Sequence, residues 1–227
     1  MDLKLIARFA FREAIGLVFM GVALFWSAGT LDWWPAWAAL ALTAAWILGT
    51  GVVIVRHHPD LLAERLGPRK GAKRWDTIIM SFHGILQLGV YIVAGLDQRY
   101  RWLPGLPAIS QVGALIICCL GYGMVVWASA ANAFFSQIVR VQIERGHRVV
   151  TGGPYRYIRH PAYAGGILTE VLVPVLLGSW WALVIGLVDA AVMALRTVLE
   201  DRTLRDELPG YAEYASEVRY RLLPGVW

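Results

Sequence analysis

Gly152-Gly153-Pro154-Tyr155-Arg156-Tyr157-Ile158-Arg159-His160-Pro161-Ala162-Tyr163 lies wedged between long apolar segments. Glycine admits positive φ and proline fixes its own, so the chain breaks sharply at residues 152–154. Three tyrosines, two arginines and a histidine follow. An unpaired polar group against hydrocarbon costs on the order of several kcal/mol. Such a cluster persists only if it lines a cavity or grips a ligand at a membrane surface. Its flanks decide the fold, and both read as membrane helix.

The 227 residues are 58% hydrophobic and only 16% charged, whereas a soluble domain carries about a quarter charged residues. Apolar runs cover residues 14–28, 36–55, 77–95, 109–131, 163–177 and 180–195, the last two interrupted by Glu170 and Asp189. A crossing helix needs about 20 apolar residues. Runs 14–28 and 163–177 are therefore short by themselves, with Phe11, Trp26 and Trp33 available to extend the first. Gly178-Ser179-Trp180-Trp181 predicts a tight hairpin between the fifth and sixth spans. The pattern gives an all-α polytopic membrane protein of about six transmembrane helices. No Ser/Gly/Pro-rich linker divides it, so one integral domain spans 1–227, with 1–133 as a helical scaffold and 134–227 as the half that carries the densest polar islands.

Six crossings put 19 of the 21 Lys and Arg residues on one side, leaving only Arg99 and Arg101 on the other. The positive-inside rule then places both termini in the cytoplasm of a bacterial inner membrane or its equivalent. The formal charge of +5 reads as orientation and attraction to anionic lipid, not as a nucleic-acid footprint. Lys4, Arg8 and Arg12 resemble the start of a signal peptide, but a second span follows at once, which predicts an uncleaved first helix. Neighbouring cysteines rarely satisfy disulfide geometry, so Cys118 and Cys119 read as small packing residues.

The polar islands come next. In the basic loop 56–74, His57 and His58 point in different directions and no ligand set accompanies them, so no metal site is expected. Leu61, Leu62 and Leu66 suit a short interfacial helix. His83 and Gln87 share a helix face, and they serve either an interhelical hydrogen bond or a substrate pocket. Glu170 and Asp189 sit at membrane depth, where ionisable groups are functional suspects. Residues 134–142 and 149–151 read as extended, joined by a polar turn. Arg196 and Glu200 lie four apart on the last span, as an exposed ion pair or as two groups with separate partners. Tyr211, Tyr214 and Val218 form a one-sided stripe that caps the island or lies on the membrane.

Residues 153–163 together with Arg196, Glu200-Asp201 and Tyr211-x-x-Tyr214 resemble the isoprenylcysteine carboxyl methyltransferase and phospholipid methyltransferase families, integral membrane enzymes that use S-adenosylmethionine. The resemblance covers roughly residues 134–224. It implies a cytoplasmic cofactor pocket in the C-terminal half, with contacts from Gln142, His147, Arg148, Val149, Val150, Tyr155, His160, Tyr163 and Glu200. It implies that Arg196 faces the carboxylate of a lipophilic small-molecule acceptor amid membrane lipids. Glu200-Asp201 stands where the family often has Glu-Glu, and Leu208-Pro209-Gly210-Tyr211 replaces its Phe-Gly-x-x-Tyr. Tyr155 and Tyr163 offer rings to a sulfonium, and a carboxylate acceptor needs no base at neutral pH. Phospholipid amine or thiol methylation, an NADPH-dependent sterol-reductase-like activity and a non-catalytic lipid-binding role are the alternatives.

Overall fold

The computed structural model describes residues 3–67 and 71–227; residues 68–70 of the basic loop lie outside the described residues. Within these, the chain forms eight α-helices and no strand: α1 (Leu3–Ala28), α2 (Trp34–His57), α3 (Pro59–Leu66), α4 (Arg74–Tyr100), α5 (Ala108–Ala131), α6 (Pro161–Leu177), α7 (Trp180–Glu207) and α8 (Tyr211–Glu217). Five of them are long and apolar enough to cross a membrane, and α6 is a shorter apolar helix. These six are the expected spans. The first is longer than its apolar run, because α1 begins at Leu3 and takes Lys4, Arg8 and Arg12 into the helix. Residues 134–142 and 149–151 are irregular and unpaired, with a helical turn at Ile143–Arg145 between them.

Local chemistry explains the breaks. Pro35, Pro59 and Pro161 each open a helix, where the missing N–H is no loss. The α6–α7 hairpin turns on Gly178 at φ +81°, a left-handed cap that favours glycine. Ser179 then caps α7, its hydroxyl accepting the Ala182 N–H at 3.2 Å and donating to Asp97 Oδ2 at 2.6 Å.

Contacts run α1–α2–α5–α6–α7–α4 and back to α1, so these six apolar helices close into a ring. At the end that carries residues 29–33 and 178–179, Met20, Leu24, Trp33, Ala36, Val90, Ala94, Leu176, Leu177 and Ala182 plug the interior. Toward the other end the ring is hollow. There α3 folds back, burying Leu61 and Leu62 against Phe9 and Ile54. The amphipathic helix read from 61–66 thus forms, but its leucines seal α1 to α2 and do not face lipid. Outward-facing Phe11, Val18, Leu48, Ile78, Ile85, Ile116, Leu120 and Leu187 stay exposed, as a lipid-bathed surface requires.

Helices α5 and α6 make the closest crossing. A Cβ on Gly121 would fall 2.9 Å from the Gly165 carbonyl, and one on Gly165 would strike the Gly121 carbonyl. Such backbone approach is a recurring way to join helices in lipid, where no hydrophobic effect drives them together. Gly165→Val should therefore force the pair apart and cost about 1–3 kcal/mol or more, read as a lowered Tm of the detergent-solubilised protein. Gly166→Val, where a Cβ meets nothing within 4 Å, should leave Tm nearly unchanged.

Candidate functional site

The hollow end of the ring is closed by irregular chain, and its backbone polar groups need partners. Side chains supply them along residues 132–139. Arg145 donates to Ala133 O at 3.0 Å, Gln142 Nε2 to Phe134 O at 2.8 Å and Arg65 Nη2 to Phe135 O at 2.9 Å. Arg196 Nη2 donates to Gln137 O at 3.1 Å, and Asp76 Oδ2 accepts the Val139 N–H at 2.8 Å. Asp76 is fully buried, and its other oxygen accepts Arg196 Nε at 2.7 Å. One ion pair therefore fixes the start of α4, the lower part of α7 and the 137–139 segment together.

A second carboxylate organises the 152–160 island and the tail. Asp201, fully buried, accepts Arg159 at 2.7 and 3.1 Å, Arg221 at 3.0 Å, Arg205 at 3.2 Å and the Tyr211 hydroxyl at 3.0 Å. His160 Nε2 lies 3.3 Å from it. Arg159 also donates to the carbonyls of Val218 and Arg219 at 2.7 Å each. The Arg159 and His160 N–H groups bond to the Tyr220 and Arg221 carbonyls. Tyr214 donates to Tyr155 O at 2.7 Å. The 211–218 stripe therefore caps the island: Leu208, Tyr211, Tyr214 and Ala215 are buried together, with Val141, Val149 and Val218 against them. Burial, then the charge of Asp201, holds the Tyr211 hydroxyl above the ordinary phenol range.

Two cavities result. The first is lined by His147, Arg148, Val149, Val150, Tyr155, His160, Tyr163 and Glu200, among others from 132–140 and 204–214. Eight of the nine residues that the resemblance assigned to a cofactor meet there. Gln142 does not line it. It lies 1% exposed behind the wall, its amide on Phe134 O and Arg145, its N–H donating to His147 Nδ1 at 3.2 Å. The His147 ring stacks on Phe134 with centroids 4.5 Å apart, and the bond to Nδ1 puts its proton on Nε2. Burial, then the charges of Arg145 and Arg140, lowers its pKa to about 4. The N–H groups of Arg148, Val149 and Val150 donate to no acceptor among the described residues.

The second cavity, 480 Å³, lies within the ring between α2, α4, α5, α6 and α7, with Arg196, Tyr163, Phe135, His83, Gln87 and Glu170 on its walls. Phe135, Ser136, Ala162 and Tyr163 belong to both hollows. Arg196 and Glu200 make no pair with each other: Glu200 accepts the Tyr163 hydroxyl, while Arg196 holds Asp76 and stacks 5.3 Å over the Tyr163 ring. His83 and Gln87 do reach across helices. His83 Nδ1 donates to Asp189 Oδ1 at 2.9 Å, and Gln87 Nε2 to Asp189 Oδ2 at 2.8 Å and to Glu170. His58 Nε2 bonds Ala130 O at 2.9 Å.

Sequence reasoning missed Asp76 and the organising role of Asp201. Asp76 reads as an ordinary first-turn acid at a helix start, and its partner is 120 residues away. The run of arginines at 159, 205 and 221 is the trace that Asp201 leaves in the sequence.

A polytopic, all-helical membrane protein with a polar cavity at one end, sharing a wall with a lipid-depth cavity, is the class these features define. Residues 114–206 match the profile of the isoprenylcysteine carboxyl methyltransferase (ICMT) family. A probable protein-S-isoprenylcysteine O-methyltransferase of Oryza sativa subsp. indica is 24% identical over 140 residues, which is 60% of this chain and 72% of that one. The protein-S-isoprenylcysteine O-methyltransferase of Schizosaccharomyces pombe is 35% identical over 74 residues, 32% of this chain and 31% of its own. The solved eukaryotic intramembrane Ras methyltransferase ICMT aligns over 97% of this chain and 88% of that one, at 16% identity and a TM-score of 0.48. Over residues 114–206 the chain is thus similar to the isoprenylcysteine carboxyl methyltransferases, a family of methyl-transferring membrane enzymes.

Two outcomes test this geometry. Asp201→Asn leaves three guanidiniums facing a neutral amide, and breaking a buried pair costs about 3–5 kcal/mol, so Tm should fall by many degrees and the tail should become protease-sensitive. For His147 the folded pKa, about 4, lies below the ordinary 6.5. Its contribution to stability is present above pH 6.5 and is lost as the pH falls toward 4. An NMR titration of labelled histidine should give that low midpoint for His147; a midpoint at 6.5 would contradict the buried, stacked ring.

Proposed function

We propose that this protein transfers a methyl group from S-adenosylmethionine to the carboxylate of a lipophilic acceptor of the isoprenylcysteine type. The observation that carries the reading is the wall common to both cavities. Tyr163 stands in it, with Glu200 on the polar side and Arg196 on the membrane side. The charge asymmetry supports a cytoplasmic position for the polar cavity and for both termini.

The first cavity suits the cofactor's chemistry. The unengaged N–H groups of residues 148–150 are donors for a nucleoside or carboxylate. Tyr155 and Tyr163 bring rings to a cation, and Glu200 brings a negative charge. His147 presents a neutral Nε2–H. S-adenosylmethionine, when bound, supplies a methyl group on a sulfonium at this site. The free volume is 80 Å³, less than such a ligand occupies, so binding requires the side chains of the 134–150 wall to yield.

The second cavity suits an acceptor that arrives from lipid. Arg196 has Nε on Asp76 and Nη2 on Gln137 O, which leaves Nη1 to hold a carboxylate. A carboxylate is ionised at neutral pH, so Arg196 orients it and takes no proton. Displacement at a methyl carbon needs alignment and exclusion of water. The buried Tyr163 ring and the rigid Asp76–Arg196 pair serve both. Residues 136–138 also border a hollow of 370 Å³ edged by Arg8, Arg12, Arg65 and Glu64, a predominantly basic doorway for an anionic lipid.

Calorimetry of the purified protein in detergent should detect S-adenosylmethionine binding, weakened at least tenfold by Glu200→Ala. Arg196→Lys should leave that affinity unchanged and reduce kcat/KM for the acceptor about a hundredfold, because one ammonium cannot hold Asp76, Gln137 O and the acceptor while stacking on Tyr163 as the guanidinium does. Binding of NADPH in place of S-adenosylmethionine, or methyl transfer from labelled cofactor that is indifferent to Arg196, would overturn the assignment.

A further inference from the structure

Three arginines edge the hollow beside residues 136–138, and the charge they bring is not balanced there. Arg8 and Arg12 reach it from α1, and Arg65 from the end of α3. Arg8 makes no hydrogen bond or ion pair among the described residues. Arg12 donates to the Arg65 carbonyl at 2.9 Å, and its ion pair is with Glu13, which does not line the hollow. Arg65 places Nε and Nη2 on the Phe135 carbonyl and stacks over the Phe135 ring, so its Nη1 has no acceptor among the described residues. Glu64, the carboxylate on this rim, is taken up by Arg140 and Ser136. Burial, then the charge of Arg12, lowers the Arg65 pKa to about 10. A partly buried cation in that position is costly until an anion meets it.

The face of α1 beyond the hollow is apolar. Phe11, Ile15, Val18, Phe19, Val22 and Trp26 follow Arg8 and Arg12 at steps of three and four residues, so all share one side of the helix. Each of the six is more than half exposed, and Phe11 belongs to the hollow as well as to the stripe. From Phe11 to Trp26 the stripe runs about 22 Å, longer than one leaflet of a hydrocarbon core about 30 Å thick. Arginines at the foot of a lipid-facing stripe complement a phosphate that carries an acyl chain. A free anion would use the arginines and leave the stripe idle.

We propose that this rim binds the headgroup of an anionic phospholipid of the surrounding bilayer, its phosphate held by Arg65 and Arg12 with Arg8 at the outer edge, and an acyl chain along the α1 stripe. Arg65, Ser136 and Gln137 line both this hollow and the second cavity, so the lipid sits at that cavity's mouth. Arg196 does not line the rim, and neither cofactor nor acceptor takes part, so the site goes beyond the methyl-transfer reading and stands or falls apart from it.

Delipidated protein in detergent, titrated separately with dioleoylphosphatidylglycerol and dioleoylphosphatidylcholine and read by native mass spectrometry, tests the site. Both lipids carry a phosphate, but the choline ammonium is repelled by the arginines. Phosphatidylglycerol should bind about tenfold more tightly, the effect of one or two hydrogen bonds to a charged group. Arg8→Gln, at an exposed position without bonds, should cut that preference severalfold with the fold intact, and Arg65→Gln should abolish it. Arg156→Gln removes the same charge from an exposed position in the 152–160 island and should leave the preference unchanged. Equal binding of the two lipids, a preference that survives both Arg8→Gln and Arg65→Gln, the same loss with Arg156→Gln, or displacement of the lipid by millimolar inorganic phosphate would overturn the inference.

Discussion

Irregular backbone at the end of a helix ring has to find hydrogen-bond partners, and much that is distinctive about this protein follows from that requirement. Lipid tails cannot satisfy the carbonyls of residues 133–137. Arginine and glutamine side chains from α3, α7 and the 142–145 turn do so. Each of these donors is a charged or strongly polar group, so each in turn must be balanced. Asp60 balances Arg145 at 3.1 Å, Asp76 balances Arg196, Glu64 holds the neighbouring Arg140 at 2.6 Å, and the result is a rigid lattice with cavities in its meshes. Bonding to Arg140, opposed by burial, holds the Glu64 carboxyl below its usual range.

The two buried aspartates divide the labour. Asp76 ties the membrane-side arginine to the segment that separates the cavities. Asp201 ties the island, the end of α7 and the C-terminal tail into one cap. Replacing the family's frequent second glutamate by Asp201 is consistent with this geometry, because the shorter side chain keeps its carboxylate close to α7 while three arginines converge on it. Glu200, one position earlier, points elsewhere, to Tyr163. Adjacent acids on a helix face different directions, and here those directions are the cap and the cavity.

The six spans were legible because apolar length and the Lys/Arg asymmetry are local signals. The hairpin at Gly178-Ser179 and the one-sided stripe of Tyr211 and Tyr214 were legible for the same reason, since turn chemistry and periodicity need no partner, while the choice between cap and membrane for that stripe was not. Residues 134–224 were read through their motif, and eight of the nine residues so assigned line one hollow. Gln142 shows the limit of reading a polar residue as a contact, since its amide serves the backbone of Phe134. Asp76 and Asp189 were opaque in another way. Their meaning lies in α4 and α7 running side by side, and nothing near either residue announces it. The leucines of α3 were assigned to the right helix and the wrong face, because burial against Phe9 and Ile54 competes with lipid for the same apolar surface.

The plug formed by Leu24, Trp33, Val90 and Leu176 at one end of the ring makes the interior a cul-de-sac. Nothing can be threaded through it from one end to the other, so on the proposed methyl-transfer reading acceptor and product use the same half of the bilayer. A lipid acceptor delivered to the opposite leaflet would then have to flip before it could be methylated.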